Sequence, residues 1–345
     1  MGKSSFIKTL RPAMNKCALK FLFVFAPLFA ALQMHAAAPD RSPLEALSRC
    51  EVPEYYSGKR AIYENLNTSF GIPYKYADGE LLRFDISYPE GPAPLAGFPL
   101  IMYFHGGGFA GGERFSGYGY YNDEIRWYNS KGIAVATVSY RFARHFPKRT
   151  MLACVTDAKD AARFMVKYAK ELKLNPNKMG VYGHSAGGQL TYLTALSGDS
   201  DFPGDESLKG VKVRFVCAVP QSGPSDMVDP EADAPGSFIS QESNMRGPLG
   251  GKIADNVELR KMMSPARYLK RGAPAMLILQ GEKDSIVPKE AAIYMEKKAR
   301  SLGVPVELVI SEGAGHSFEN AKNPDNGGLA RIRREFFARH LAGGK

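Results

Sequence analysis

The chain has 345 residues, 44% hydrophobic and 23% charged, an ordinary globular composition that excludes a disordered or collagen-like protein. Its formal charge is +10, but Lys3, Lys8, Arg11, Lys16 and Lys20 sit at the start with no acid among them, and without those five it is +5. That remainder is spread along the chain with no basic block, so no nucleic-acid partner is expected.

Residues 1–38 have the pattern of a secretory signal peptide: a basic start, an apolar run from Phe21 to Leu32, then Ala36-Ala37-Ala38. The run is too short to cross a bilayer comfortably, so no stable membrane span is expected after cleavage. An uncleaved amphipathic anchor is the alternative. Met14 offers a second start with a more usual basic region, and Pro39 is a poor first mature residue, which favours cutting after Ala36 or Ala37. Cys17 precedes the apolar run and is badly placed for lipid attachment. The expected location is secreted or periplasmic, with 39–345 forming one domain. Cys50, Cys154 and Cys217 remain in it, an odd number that cannot all pair. Cys154 and Cys217 lie in apolar helix and strand patterns and read as core thiols, whereas Cys50 is open to a bond in an oxidising compartment. No spacing suits a metal site. Asn67-Thr68-Ser69 is a glycosylation sequon that matters only in a eukaryotic host.

Residues 39–66 read as a partly helical lead-in. Ile72 to Tyr76, the turn Ala77-Asp78-Gly79, and Leu81 to Tyr88 predict an antiparallel hairpin. Pro99 to Phe104 is an unbroken apolar run, as a strand covered on both faces requires, and it ends in His105-Gly106-Gly107-Gly108-Phe109. A helix is expected around 122–130 and a strand over 133–140. Helical periodicity covers 150–172. Met179 to Tyr182 is a strand running into Gly183-His184-Ser185-Ala186-Gly187-Gly188, with a helix from Gln189 to Leu196 behind it. Strands follow over 213–219, 276–279 and 306–310, with helices over 289–302 and 329–341. The interval 225–268 holds no clear strand. It reads as a partly helical excursion over the site, a cap, or as a surface connection. Alternation of strand and helix predicts the α/β class, a mostly parallel sheet with helices on both faces. The chemically interesting residues follow strand C-terminal ends, where open α/β sheets bind ligands.

Acyl transfer by a serine needs a base for the hydroxyl, a partner fixing the base's tautomer, and donors for the oxyanion. Gly183-x-Ser185-x-Gly187 between strand and helix fits a nucleophile elbow, in which glycines make room for a strained turn that lifts the hydroxyl clear. An ordinary glycine-rich helix start is the plainer reading. His316, in Gly313-Ala314-Gly315-His316, is the candidate base. His35 lies in the leader, His340 in the terminal helix, His145 out of chain order, and His184 is expected to point away from Ser185. Asp284 is the candidate acid, with Glu282 its near rival and Asp226 and Asp229 more distant ones. Gly107 and Gly108 with Ala186 are the candidate oxyanion donors, and His105 is expected to order their loop. Arg141 with Asp157 or Asp160 reads as a scaffold pair rather than a substrate clamp. Trp127 and Tyr128 read as helix packing. Phe109, Phe115, Tyr118, Tyr120 and Tyr121 are dense near the glycine loop and leave an aromatic rim open as a reading.

Together these residues resemble the α/β-hydrolase esterases, in particular the hormone-sensitive-lipase-like and acetyl-esterase-like group. The resemblance spans about Tyr74 to Ala338 and is carried by His105-Gly106-Gly107-Gly108-Phe109, Val138-Ser139-Tyr140-Arg141, Gly183-His184-Ser185-Ala186-Gly187-Gly188, Gly281-Glu282-Lys283-Asp284 and Gly313-Ala314-Gly315-His316. It implies an α/β-hydrolase fold and a cofactor-free serine carboxylesterase with a preference for short acyl groups. The matching residues are Ser185, Asp284 and His316 for the triad, and Gly107, Gly108 and Ala186 for the oxyanion hole. Gly281-Glu282-Lys283-Asp284 and Tyr140-Arg141-Phe142-Ala143-Arg144-His145 depart from the lipase-like pattern. They are closer to a secreted branch similar to xylan- and feruloyl-esterase-like enzymes, as are Pro248-Leu249-Gly250-Gly251 and Met263-Ser264-Pro265-Ala266. The expected substrate is a small-molecule or carbohydrate ester, acetyl foremost. The alternatives are a prolyl-oligopeptidase-type serine peptidase, which usually carries a large extra domain, and a non-catalytic hydrolase-fold binding module, which usually loses triad members.

Overall fold

A computed structural model describes residues 66–114, 116–143, 149–234 and 236–342, without the side chains of 116–122. The signal-peptide reading, Cys50, Phe115, His145 and the rings of Tyr118, Tyr120 and Tyr121 lie outside the described residues.

An antiparallel hairpin, β1 (Asn67–Ala77) and β2 (Glu80–Tyr88), turns at Asp78 and Gly79 with φ of 50° and 81°. The remaining strands are β3 (Phe98–Phe104), β4 (Ala134–Val138), β5 (Leu174–His184), β6 (Cys217–Gln221), β7 (Ala275–Gly281) and β8 (Val306–Ser311). They form one sheet in the order β1-β2-β4-β3-β5-β6-β7-β8. From β4 through β8 every neighbouring pair is parallel, and β2 joins β4 antiparallel.

Strand alternation divides the core in two. In β3, Leu100, Met102 and Phe104 join one apolar cluster, while Ile101 and Tyr103 join the other. The first cluster packs α2 (Met151–Lys167), α3 (Ala186–Leu196) and α6 (Lys289–Ser301); the second packs α1 (Ser116–Ser130) and α7 (Asn326–Leu341). Helix α3 is buried at every residue but Ala195, so it forms a wholly internal support behind the turn that precedes it.

Differences from the sequence reading have local causes. Helix α2 stops at Lys167, not Leu172, because Leu174 N–H closes onto Ala169 O at 2.7 Å and Lys173 turns left-handed at φ 53°. Strand β6 begins at Cys217, not Val213, since the Asp199 carboxylate takes the Val213 N–H at 3.2 Å. Helix α1 reaches back to Ser116. The 225–268 interval holds short 3-10 turns with α4 (Glu242–Leu249) and α5 (Val257–Met262). It lies over the C-terminal sheet edge, where Phe238, Ile239 and Met245 wall a cavity.

Candidate active site

Ser185 stands between β5 and α3 with φ 59° and ψ −122°, a conformation that costs a side-chain-bearing residue about 1–3 kcal/mol. Two backbone bonds hold it there: Ser185 N–H to Gln221 O at 2.9 Å and Gln189 N–H to Ser185 O at 3.0 Å. The turn needs its glycines. A Cβ on Gly187 would stand 2.1 Å from Phe104 O and 2.6 Å from His105 O, and neither backbone oxygen can move aside.

The hydroxyl so presented lies 2.8 Å from His316 Nε2. On the other side of that ring, Nδ1 donates to both Asp284 oxygens, at 3.0 and 2.9 Å. This fixes the tautomer: with the proton on Nδ1, Nε2 is free to accept the Ser185 proton. Asp284 is fixed in turn. Its Oδ1 accepts the N–H groups of Ile286 and Val287, each at 2.9 Å, and its Oδ2 accepts Gln280 Nε2 at 3.0 Å. Burial raises the Asp284 carboxyl, but donation from His316 and from the Val287 and Ile286 N–H groups outweighs it, so its pKa lies below the ordinary value.

The rival acids are occupied elsewhere. Glu282 accepts Gly313 N–H, Asp226 accepts Ser264 Oγ, and Asp229 accepts Tyr294 Oη. Arg141 grips Asp157 with two charge-assisted bonds, at 2.8 and 2.7 Å, and reaches Asp78 in the hairpin turn at 2.6 Å. Asp160 pairs with Lys75 and Arg163 instead. Arg141 is not in the cavity wall, so this pair belongs to the scaffold. Tyr128 packs edge-on against Phe337 of α7, as the helix-packing reading expects.

The glycine loop after β3 sits beside Ser185. Gly107 has φ 125°, and a Cβ there would meet Gly111 O at 2.1 Å; Gly108 has φ 58°. The N–H groups of Gly107, Gly108 and Ala186 donate to no group among the described residues, and all three residues line the cavity at Ser185. Unpartnered backbone donors beside the nucleophile are what an oxyanion hole needs. His105 braces this loop from below. Its ring stacks on Tyr140 at 4.3 Å, Tyr140 Oη donates to His105 O at 2.6 Å, and Nδ1 bonds Gly106 O at 2.8 Å. Burial lowers its pKa to about 4, so the ring is neutral.

His184 does not turn out of the site. Its ring lies 4.9 Å from that of His316, and Nε2 donates to His316 O at 2.9 Å. Ser222 Oγ donates to the same carbonyl at 3.2 Å. The reason is strand alternation: His184 shares a sheet face with Tyr182, and the loop carrying His316 folds over that face. Both residues therefore hold the base through its backbone. The only hint in sequence was their position at strand ends.

The cavity has a volume of about 730 Å³. Phe238, Ile239, Met245, Ile286 and Val287 make one wall apolar, whereas Tyr103, His184, Gln221, Glu319 and Asn326 bring polar groups to it. Among the described residues no three His, Cys, Asp or Glu side chains are grouped to hold a metal ion, and no helix is long and apolar enough to cross a membrane.

The profile of a family described as BD-FAE matches residues 84–299. An AB hydrolase superfamily protein of Schizosaccharomyces pombe is 28% identical over 66% of this chain and 65% of its own length. An ethyl acetate hydrolase of Pseudomonas putida is 30% identical over 34% of this chain and 35% of its own. The chain thus spans less than two thirds of either relative. Among solved structures, the butyrate-bound Est2 esterase of Thermogutta terrifontis superposes with a TM-score of 0.64 at 25% identity, covering 79% of this chain and 95% of that one.

Proposed function

The chain belongs to the BD-FAE family and has the α/β-hydrolase fold, and from that premise we propose that it is a serine carboxylesterase that removes short acyl groups, acetyl foremost, from carbohydrate esters through an acyl-serine intermediate. The observation that carries the reading is the run of contacts from Ser185 Oγ through His316 to Asp284, at 2.8 and 2.9 Å. As the Ser185 oxygen attacks the ester carbonyl, His316 Nε2 takes its proton. The ring becomes a cation, which the Asp284 carboxylate stabilises. The carbonyl oxygen turns anionic within reach of the Gly107, Gly108 and Ala186 N–H groups, at the N-terminus of α3. His316 then returns the proton to the departing alcohol oxygen. Water repeats the sequence on the acyl-serine and releases the acid. No step requires a group beyond the chain and water.

The esterase relatives and the family match support ester hydrolysis. The apolar wall supports a short uncharged acyl group, and the signal-like leader supports a secreted or periplasmic location. A burst of p-nitrophenol from p-nitrophenyl acetate, followed by steady turnover, is expected at high enzyme concentration. Fluorophosphonate labelling should map to Ser185. Failure to turn over any acetate ester, with Ser185 unlabelled, would sink the reading. Sequencing the N-terminus of exported protein tests the leader.

A further inference from the structure

Gln221 ends β6 with only 7% of its surface exposed, yet it lines the cavity at Ser185. Its side-chain oxygen is fully engaged: Tyr182 Oη donates to Oε1 at 2.9 Å and Arg333 Nη1 at 3.0 Å. Arg333 is itself held by Glu124, and both are buried. This sets the orientation of the amide. A guanidinium has donors only, so the atom facing Arg333 must be the oxygen, and a flip would set donor against donor. Nε2 is left as the amide's remaining group, on a residue of the cavity wall. It donates to nothing among the described residues, and it is not among the sealed, partnerless polar atoms. A buried ion pair thus fixes the amide and leaves one unspent donor on a residue of the cavity wall.

Its location selects the part of the substrate it meets. Gln221 stands opposite His184 in the sheet register, on the face where His184 carries the His316 turn. His316 must protonate the departing oxygen, so the alcohol lies on that side of Ser185. The apolar residues Ile239 and Met245 belong to the cluster on the opposite face.

We infer that Gln221 is the specificity-determining donor for the alcohol moiety, bonding an oxygen acceptor on it such as a sugar hydroxyl or ring oxygen. This rests on the esterase reading above and adds the basis of alcohol selection. The test compares two six-membered-ring acetates, cyclohexyl acetate and a monoacetylated methyl xylopyranoside, on wild type, Gln221→Glu and Gln221→Met. Gln221→Glu keeps both acceptor contacts and loses the donor; Gln221→Met is uncharged and loses it too. The expected result is a drop of about tenfold in the ratio of kcat/KM for the sugar ester over cyclohexyl acetate in both variants, as loss of one hydrogen bond to substrate gives. Equal losses on both esters, or an unchanged ratio, would overturn the inference. So would a wild type that cleaves cyclohexyl acetate and not the sugar ester, which leaves the esterase reading standing. Cleavage of neither would also overturn the inference, and would count against the esterase reading as well if Ser185 stays unlabelled by fluorophosphonate.

Discussion

Asp284→Asn is the sharpest perturbation of the proposed mechanism, because the surroundings of this carboxylate dictate how an amide must sit. Oδ1 accepts two backbone N–H groups, from Ile286 and Val287, so the oxygen of an asparagine has to occupy that position. The amide nitrogen then replaces Oδ2, 2.9 Å from His316 Nδ1 and 3.0 Å from Gln280 Nε2. An NH2 group there needs an acceptor, so His316 must bare Nδ1 and carry its proton on Nε2. That proton faces Ser185 Oγ, and the ring no longer takes the hydroxyl proton. Wrong-tautomer substitutions of this kind cost about 10³–10⁴ in turnover, which is about 4–5 kcal/mol of barrier. The assay is the steady-state kcat on p-nitrophenyl acetate near neutral pH, with the melting temperature recorded alongside. Glu282→Gln, two residues away, should stay within about threefold of wild type, since among the described residues the Glu282 carboxylate meets only the Gly313 N–H and Lys283. A loss below about tenfold for Asp284→Asn, or a comparable loss for Glu282→Gln, would refute the chain of contacts as the route of the proton.

Further expectations concern the wall, the scaffold and pH. Met245→Ala opens the apolar wall, so the ratio of kcat/KM for hexanoate over acetate p-nitrophenyl esters should rise by about tenfold, the range one or two pocket methylenes command; an unchanged ratio would place the acyl chain elsewhere. Asp157→Asn leaves Arg141 and Lys75 short of their shared buried partner, so unfolding free energy by urea titration should fall by about 3–5 kcal/mol. Folded Asp157→Asn enzyme should keep its KM, whereas a raised KM would revive Arg141 as a substrate clamp. His105 is buried with its pKa lowered from 6.5 to about 4. The unfolded chain therefore binds a proton first as pH falls, so the stability that the neutral ring contributes is complete above pH 6.5 and is lost on acidification toward pH 4. The loss is about 3 kcal/mol, and a melting temperature flat between those limits would contradict it.

The parts of the site legible in sequence are those made by consecutive residues. Gly183 to Gly188 could be read as a strand-to-helix elbow because the steric need for Gly183 arises within the motif: a Cβ there would stand 2.3 Å from Gly187 O. The loop from Gly106 to Gly108 could be read for the same reason, since its positive φ angles announce themselves as glycine. Strand and helix alternation carried the α/β class, because each apolar run is a property of its own segment. Where a segment's backbone is claimed by a distant side chain, the reading slipped: Asp199 takes Val213 N–H and delays β6.

Chain order and strand-end positions nominated Ser185, Asp284 and His316, but only the fold brings them within proton-transfer distance, since Ser185 and His316 are 131 residues apart. Tertiary structure alone separated Asp284 from Glu282, turned His184 beneath the His316 carbonyl, and set the Gln221 amide against Arg333. Each of these depends on which face of a strand meets which loop. That is fixed by sheet register and helix packing, and a linear pattern of residue types carries no record of either.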